Sequence, residues 1–497
     1  MKFKIILIIV ALLAGVGPAL YFWYRSGGLQ SAVVQQVSRK ITSNAAESSL
    51  IQKVLGFSKP QTYLILFLNN TEIRPAGGFI GAYGVVRVDK GMPEILKVEG
   101  TELLDNFSPQ DFPSLPPEPL QKYLPVKRWG FRDSNWSPDF ASSSIKALDL
   151  FKKEKGAAAE DISAVIGITP TLIEEILKIS GPISVNGQEF NAQNFTEKLE
   201  YEVEYGYAEQ GLDFDDRKKV LIDLTHALLA RIRGDIFKHW SRYLALGQRM
   251  LAEKQILAYS NDPETESVLL AKNWAGEIKQ TAGDYLLWVD ANMASLKTDK
   301  VIDRELSYSF APTSSGKYIA TVKMKYANKG SFTKFTTRYR TYARVYLPAG
   351  SQFIFVLGSL KSDRAPGAGT VDQGVENGKQ WFGAFTSIEP GKTGELVWQF
   401  YLAPRVVEQI KNNSYNLLAQ KQAGTIANTL TLDLNFGRNI VSANPSEAPE
   451  NLGNQIYNYN EASGKSACDL SQANCNYMST YNYKTDLRLD RNFEVKF

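Results

Sequence analysis

The stretch Tyr63–Val88, YLILFLNNTEIRPAGGFIGAYGVVRV, constrains the fold of this chain more than any other. It predicts a buried strand over 63–68, a polar loop, and a second strand over 79–88. Apolar runs of this length bounded by Asn, Pro and Gly are typical of strands rather than helices. The turn Asp89-Lys90-Gly91 then predicts a hairpin leading to a third strand over 94–98.

The loop between the first two strands is rich in polar side chains, namely Asn69, Asn70, Glu72 and Arg74. Such groups are costly between buried strands unless they satisfy one another or serve a ligand. In a binding interpretation, Arg74 donates to a phosphate or carboxylate, and the strand glycines Gly78, Gly81 and Gly84 let a ligand approach the backbone. In the structural alternative, Glu72 pairs with Arg74 and the asparagines satisfy the turn backbone. The residues alone leave both interpretations open.

The N-terminus predicts a membrane anchor. Two lysines precede an apolar run over 5–24, which ends in Tyr-Phe-Trp-Tyr before Arg25. About twenty such residues suffice to cross a bilayer, and aromatic clusters favour the interface. A cleaved signal peptide is the alternative, but the bulky aromatic cluster disfavours cleavage. We therefore expect a single-pass cell-membrane protein with its N-terminus in the cytoplasm and its bulk outside.

Composition limits the partners. The 56 Lys and Arg nearly balance the 52 Asp and Glu and are interspersed with them, which gives no argument for nucleic acid. Cys468 and Cys475 lie close together, and outside the cytoplasm a local disulfide is the simplest interpretation. Two free thiols are the alternative. A metal site at this pair is disfavoured, because the chain has only two histidines.

A chain of 497 residues is too long for one core. We predict an anchor over 1–27, a stalk over 28–60, an α/β domain over 61–298 and an all-β sandwich domain over 299–497 with a long loop at 444–482. Strands and helices alternate in the first domain. They are helices over 142–153, 169–179 and 213–233, and strands over 164–168 and 285–292. After Asp303, alternating apolar and polar residues broken by turn residues indicate an antiparallel sandwich.

A second dense stretch is Lys127–Phe140, KRWGFRDSNWSPDF. It holds charged and aromatic candidates for a site: Arg128, Arg132, Asp133, Asn135, Trp136 and Asp139. Two carboxylates can hold a hard cation such as Mg²⁺ through oxygen ligands, and a tryptophan can stack on a sugar or lipid. The alternative is a structured loop with a buried tryptophan and salt bridges.

Arg217 stands near the predicted start of the helix over 213–233, next to Lys218 and Lys219. Cations there oppose the helix dipole unless an anion or neighbouring acid compensates. A bound anion is one interpretation, and neutralisation by the aspartates at 213, 215 and 216 is the other. His226 and His239 are more typical of structural residues than of ligands. The sequence has no P-loop, no H-E-x-x-H and no G-x-S-x-G, and its glycine run lacks dinucleotide spacing.

The motifs N-N-T-E-I-R-P-A-G-G-F-I-G-A-Y-G, W-G-F-R-D-S-N-W-S-P-D-F, V-I-G-I-T and I-S-G-P-I resemble a bacterial family of membrane-anchored extracytoplasmic proteins of unknown function. The resemblance covers about 60–295. It implies a location outside the cytoplasm and a β-rich C-terminal part, and it implies no particular activity.

The order of elements is also similar to the LytR-CpsA-Psr family, envelope enzymes that transfer glycopolymers from a polyprenyl-pyrophosphate carrier to peptidoglycan. The matching parts are 65–74, Arg132-Asp133, 165–183 and Asp216-Arg217. The typical Asp-x-Arg and Arg-x-Asp spacing is absent, and Trp-Gly-Phe precedes the Arg-Asp pair. This resemblance implies an α/β fold with a mixed sheet and helices, and a phosphotransferase activity.

The resulting hypothesis is an envelope protein that binds a polyprenyl-pyrophosphate-linked glycan and transfers it to a cell-wall polymer. Arg74, Arg132 and Arg217 would neutralise the pyrophosphate, Asp133 or Asp139 would hold Mg²⁺, and the glycine-rich strand would flank an apolar groove for the prenyl chain. Asn69, Asn70, Glu72, Gly78, Arg128 and Trp136 complete the expected ligand contacts. Binding without chemistry, and a structural or adhesive surface protein, are the alternatives.

Overall fold

The computed structural model describes residues 52–109, 112, 114–214, 217–365, 367–446 and 479–497. The predicted anchor, nearly all of the stalk and both cysteines lie outside these residues. Within the described part, no helix is long and apolar enough to cross a bilayer. The chain divides into two compact units. The first takes its described residues from 1–70, 76–117 and 126–277, and the second takes them from 71–75, 118–125 and 278–497.

The α-helices, in chain order, are α1 (Thr101–Phe107), α2 (Glu118–Tyr123), α3 (Phe140–Lys153), α4 (Pro170–Ser180), α5 (Phe195–Tyr201), α6 (Tyr207–Glu209), α7 (Lys219–Ala252), α8 (Pro263–Ala271) and α9 (Pro404–Lys411). The strands are β1 (Gln61–Asn69), β2 (Phe79–Asp89), β3 (Met92–Gly100), β4 (Ile162–Ile168), β5 (Ile183–Val185), β6 (Gln188–Phe190), β7 (Ile256–Ser260), β8 (Asp284–Asn292), β9 (Ile302–Pro312), β10 (Tyr318–Asn328), β11 (Tyr339–Pro348), β12 (Gln352–Leu357), β13 (Asp372–Glu376), β14 (Lys379–Ile388), β15 (Thr393–Tyr401), β16 (Ser414–Gln420), β17 (Thr429–Asn435), β18 (Ser442–Asn444), β19 (Thr480–Asp486) and β20 (Arg491–Lys496).

A mixed five-stranded sheet in the order β3-β2-β1-β4-β7 forms the centre of the first unit. Strand β1 pairs antiparallel with β2 and parallel with β4. The three strands predicted at the start of the chain are therefore confirmed. Lys90 (φ 50°) and Gly91 (φ 81°) join β2 to β3, and positive φ at both positions is the geometry that two-residue hairpin turns favour.

One face of this sheet carries the apolar cluster of the first unit, which packs against α4, α7 and α8. Side chains alternate along a strand, so Tyr63, Ile65 and Phe67 all lie on this face. Across β1 and β2, Tyr63 is opposite Val86 and Ile65 is opposite Gly84. Across β1 and β4, Ile65 is opposite Ile166. These registers fix which side chains line the space between the sheet and the helices.

The start of α3 carries a side-chain cap, whereas the start of α7 differs from the prediction. The Asp139 Oδ1 accepts a hydrogen bond from the Ser142 amide at 2.9 Å and caps α3. The predicted start of the helix over 213–233 was wrong, because α7 begins at Lys219. Arg217 and Lys218 form a turn instead, since their side chains are held by an acidic residue of α1.

The second unit is largely β. A six-stranded sheet has the order β12-β15-β10-β9-β17-β19, and a seven-stranded sheet has the order β13-β14-β11-β8-β16-β20-β18. One apolar cluster takes buried side chains from both sheets, among them Tyr308 and Trp398 from the first and Val345 and Phe382 from the second. The prediction of a mixed α/β chain that is largely β in its C-terminal half is thus confirmed.

Strand β8 lies in the interior of the seven-stranded sheet, where it pairs antiparallel with β11 and parallel with β16. Every one of its nine residues is buried. The sequence predicts this strand as part of the domain over 61–298. Its apolar run indicates a buried strand without indicating which neighbours it pairs with.

Two short segments join the second unit from far upstream. The Ile73 amide donates to Asp299 Oδ2 at 3.0 Å, and the Asn292 amide donates to the Ile73 carbonyl at 2.9 Å. The Tyr123 ring of α2 stacks on Phe385, with centroids 4.2 Å apart and an angle of 6° between the planes. Each segment is therefore held by specific pairing and packing.

Candidate functional site

Two of the three predicted arginines of the site, Arg132 and Arg217, form ion pairs with side chains of helix α1. It presents Glu102 and Asp105 one turn apart, on the same side of the helix. Glu102 Oε1 forms an ion pair with Arg217 Nη2 at 3.1 Å, and Asp105 forms one with Arg132. The charge of Glu102 also acts on Arg132. The sequence did not indicate α1 as the meeting point, although two acids at a spacing of three on a short helix were a signal for it.

Arg217 is the most unusual cation of this group. Its side chain is only 11% exposed, and Nη2 reaches Glu102. Its Nε and Nη1 are buried and have no hydrogen-bond partner among the described residues. The Phe214 ring lies 3.6 Å from the guanidinium carbon and covers one face of the group. Buried donors of a charged group normally form hydrogen bonds, and a buried donor without a hydrogen bond costs free energy.

Lys218 reinforces the positive charge next to Arg217. Its Nζ lies 2.5 Å from Glu102 Oε2 and also donates to the carbonyl oxygen of Gly81 on β2. Burial lowers the pKa of Lys218, and the charge of Glu102 only partly opposes this. Burial would raise the pKa of Glu102, but Lys218 and Arg217 together hold it below its ordinary value. One carboxylate therefore pairs with two largely buried cations, and the charge of Glu204 also acts on Lys218.

A second acid, Glu154 at the end of α3, lies against Asp105. Its Oε1 accepts a hydrogen bond from the Phe131 amide at 3.0 Å. Burial, followed by the hydrogen bond and charge of Asp105, raises the pKa of Glu154 to about 8. Burial works against the charge of Arg132, but Asp105 nevertheless raises the pKa of that guanidinium. Glu154 therefore holds its proton at neutral pH and presents it to Asp105. Sequence reasoning missed Glu154, because nothing in its local context distinguishes it.

Besides Arg132, the stretch Lys127–Phe140 contributes hydrogen bonds that hold neighbouring backbone segments. Arg128 Nη2 donates to the Asp105 carbonyl at 2.7 Å and to Ser108 Oγ at 3.0 Å. The Asn135 Nδ2 donates to the Gly78 carbonyl at 2.6 Å. The Asp133 carbonyl accepts from the Trp129 indole at 2.8 Å, while Trp136 is half-buried. These contacts therefore also fit the alternative interpretation of this stretch as a structured loop.

Magnesium ligands were expected at Asp133 and Asp139. Asp139 Oδ1 accepts from both the amide and the hydroxyl of Ser142 as a helix cap, which makes it a poor metal ligand. Asp133 is buried beside Arg132, whose pKa its charge helps to raise. In the described parts of the chain, no three or more His, Cys, Asp or Glu side chains form a group that could hold a metal. Magnesium at Asp133 would thus need oxygens from a ligand.

The opening loop is divided between the two units. Asn69 and Asn70, in the first unit, donate to Glu200 Oε1 at 2.7 Å and to Thr171 Oγ1 at 3.0 Å. Arg74, in the second unit, is 3% exposed, and its Nη1 donates to the Asn292 carbonyl at 2.6 Å. Glu72 lies 3.3 Å from Arg74 Nη2 and 3.4 Å from Lys297 Nζ.

The glycines of the opening stretch differ in how much space a side chain would have. Gly78 has φ +147°, and a Cβ there would lie 2.6 Å from backbone atoms of Asn69. At Gly78 the close neighbour is therefore the chain's own backbone. At Gly81 and Gly84 a Cβ would make no contact closer than 3.7 Å.

Gly84 lines an apolar cavity of about 510 Å³ between the sheet and helices α4 and α7, which we call the front cavity. Its walls are almost entirely hydrocarbon, and they include Phe67, Val98, Leu172 and Leu228. His226 of α7 also lines it. The volume is within the range of cavities that bind small ligands. Of the glycines predicted to flank an apolar groove, Gly84 does so.

Comparison with known protein families finds a match over part of the chain, to a family without an assigned function. Residues 58–204 match the family described as "Protein of unknown function (DUF4012)". This agrees with the resemblance to a family of unknown function. No curated protein matches the sequence.

Two solved structures illustrate the structural likeness. Protein gbs0355 from Streptococcus agalactiae has a TM-score of 0.27 at 11% identity, over 45% of this chain and 76% of that chain. An M1 zinc metallopeptidase from Deinococcus radiodurans has a TM-score of 0.18 at 9% identity, over 40% of this chain and 42% of that chain. Likenesses of this size support no transfer of function.

Proposed function

We propose that this protein is a membrane-anchored, extracytoplasmic envelope protein that binds a polyprenyl-pyrophosphate-linked glycan. Arg217, Lys218 and Arg132 of the first unit receive the pyrophosphate, and the front cavity holds the prenyl chain nearest to it. Transfer of the glycan to a cell-wall polymer is the activity that the similarity to the LytR-CpsA-Psr family adds to this proposal. That similarity also supports assigning the first unit to the same class of mixed sheet with helices.

The observation that carries the proposal is the state of Arg217. Two of its guanidinium nitrogens are buried without a hydrogen-bond partner among the described residues. A phosphate offers oxygens that match the fork of a guanidinium, so a bound pyrophosphate would satisfy those donors. The ring of Phe214, which is 54% exposed, covers the guanidinium and would have to move aside.

The positions of the charged group and of the front cavity support one ligand with a polar head and an apolar tail. Val98 of β3 lines the cavity, and Gly100, two residues further, packs against Lys218 and Glu102. Thr225 lines the cavity from α7, about 10 Å along the helix from Lys218. The head group would thus bind at one end of the cavity.

Arg74 has no ligand contact in the proposal, because its guanidinium already donates to Asn292 and Glu72 within the second unit. Magnesium is kept only as a prediction for Asp133, where it would stabilise charge on the leaving phosphate. The shared apolar cluster of the two large sheets supports the β-sandwich interpretation of the second unit.

The test uses the full chain, purified in detergent from its native membrane, with retained lipids identified by mass spectrometry. The variant Gly84→Leu places a side chain in the front cavity, where a Cβ has room at 3.7 Å from its nearest neighbours. Ala311→Leu is the control, because it adds a leucine at an exposed strand position of the second unit. Arg217→Gln removes the charge at the head-group end.

We expect the wild type and Ala311→Leu to retain a prenyl-pyrophosphate lipid, and Gly84→Leu and Arg217→Gln to lose at least about nine-tenths of it. Equal retention in all four proteins would refute the assigned site. If no lipid is found in the wild type, and none binds when prenyl pyrophosphate is added, the proposal fails. The non-enzymatic surface-binding or structural alternative would then be favoured.

A further inference from the structure

A second cavity lies on the same sheet, at the end where β1 and β4 begin and β7 ends. It has a volume of about 770 Å³, and we call it the rear cavity. Apolar and aromatic side chains line its inner part, including Tyr63, Ile166, Leu269 and Trp274. Its rim is polar and includes Lys59 and Arg87. Nothing in the head-group chemistry proposed above uses this space.

The front and rear cavities are neighbours, because strand register places their linings side by side. Tyr63 lines the rear cavity and Val86, directly opposite on β2, lines the front cavity. Ile65 lines the front cavity and Ile166, directly opposite on β4, lines the rear cavity. Paired strands are only about 4.8 Å apart, so a single layer of side chains separates the two spaces.

The strands also give the order of the three features. Along β2, the Gly81 carbonyl binds Lys218, Gly84 and Val86 line the front cavity, and Arg87 lines the rear cavity. Strand β1 runs the opposite way and repeats this order, with Phe67 and Ile65 in the front cavity and Tyr63 in the rear one. The charged group, the front cavity and the rear cavity therefore follow one line along the sheet.

We propose that the front and rear cavities form one channel for a single long prenyl chain, and that Tyr63, Ile65 and Ile166 act as its length gauge. This inference rests on the proposed function. A short chain ends in front of these three side chains, whereas a long chain passes them and fills the rear cavity. The protein thereby selects long-chain carriers over short prenyl diphosphates that bear the same head group.

The three gauge residues are each at most 6% exposed, so they are held by packing on this face of the sheet. The Tyr63 hydroxyl donates to the Val54 carbonyl at 2.6 Å, which fixes its ring at the entrance of the rear cavity. Lys53, joined to Asp262 by an ion pair of 2.6 Å, lines the same end. The far end of the channel thus lies beside Lys53 and Val54, near the first described residues of the chain.

The test compares the affinities of the full-length protein for farnesyl diphosphate and for undecaprenyl diphosphate, both added in the same detergent. Each buried methylene strengthens binding several-fold, so we expect the wild type to favour the long chain by at least about tenfold. Ala164→Phe adds a ring to the rear cavity at a half-buried position of its lining. It should abolish the preference and leave binding of the short chain unchanged.

Two controls separate blockage from misfolding. Ala311→Phe adds the same ring at an exposed strand position of the second unit and should behave as the wild type. In the unmodified wild type, a long-chain diphosphate with a photoreactive group on its last isoprene unit should label the rear-cavity peptides 53–63 or 258–274. This second readout stays valid even if Ala164→Phe does not fold.

The outcomes distinguish the two proposals. Equal wild-type affinities for both chains, or labelling confined to α4 and α7, would overturn the length gauge while leaving the head-group site in place. An equal loss of both ligands in folded Ala164→Phe would also overturn it. If neither diphosphate binds the wild type, the proposed function itself fails and the gauge fails with it.

Discussion

Replacing Glu154 by glutamine should make the first unit more stable at alkaline pH. Glu154 is 2% exposed, and Asp105 lies against it. A glutamine keeps the shape, its oxygen can still accept from the Phe131 amide, and its amide can donate to Asp105. The substitution therefore replaces a titrating acid by a permanent donor.

The sign and size follow from proton linkage. The pKa of Glu154 is raised from 4.5 to about 8 by burial and then by Asp105, so between these values the folded protein holds a proton that the unfolded chain has released. Stability therefore falls as pH rises through this interval. The gap corresponds to about 5 kcal/mol as an upper limit. Because the surroundings of a buried carboxylate can relax, we expect about 2–4 kcal/mol.

The assay is urea unfolding at pH 5.0, 7.0 and 8.5, followed by amide exchange of peptides from the first unit, since two units can unfold separately. Glu154→Gln should match the wild type at about pH 5 and exceed it by about 2–4 kcal/mol near pH 8.5. Glu160→Gln, at an exposed position on a surface ion pair, is the control and should follow the wild type. Parallel pH profiles for the wild type and Glu154→Gln would refute a protonated Glu154 in the folded protein.

Two further predictions concern the opening stretch and the Asp139 cap of α3. Gly78→Ala should destabilise the first unit by several kcal/mol in urea unfolding, because its Cβ would lie 2.6 Å from the Asn69 backbone at a strained φ, whereas Gly81→Ala should be nearly neutral. Asp139→Ala should cost about 1 kcal/mol in the same assay, while Asp139→Asn, which still caps Ser142, should cost little. A marked loss of activity or lipid binding in folded Asp139→Asn would instead support a metal at this position.

The local features of the fold followed from the sequence, and the long-range partners did not. The apolar runs of β1 and β2 and the turn at Lys90-Gly91 are encoded by neighbouring residues, so they could be predicted. The partners of β8 could not, because a uniformly buried strand carries no register signal. The same limit applied to Arg74, whose acceptor, the Asn292 carbonyl, is 218 positions away.

The same distinction applies to the candidate site, where some residues could be predicted and their partners could not. Arg132 and Arg217 could be selected because they are charged residues in otherwise structured contexts. Their meeting at α1 depends on Glu102 and Asp105, which are ordinary residues of a short helix until the fold brings the arginines to them. The front cavity was anticipated through its glycine-rich strand. The rear cavity was not, since its lining comes from the ends of several strands.

The membership of segments 71–75 and 118–125 in the second unit has a consequence for biosynthesis. Ile73 leaves the ribosome 226 positions ahead of Asp299, the residue that accepts its amide hydrogen bond. At typical elongation rates that gap lasts roughly 10–45 s. During this interval the nascent chain carries apolar residues without their final neighbours, Tyr123 among them. Assembly of the second unit is thus finished only late in translation, although its first segments are made early. A premature stop between 278 and 385 should therefore yield a product that depends on chaperones and is cleared by quality-control proteases.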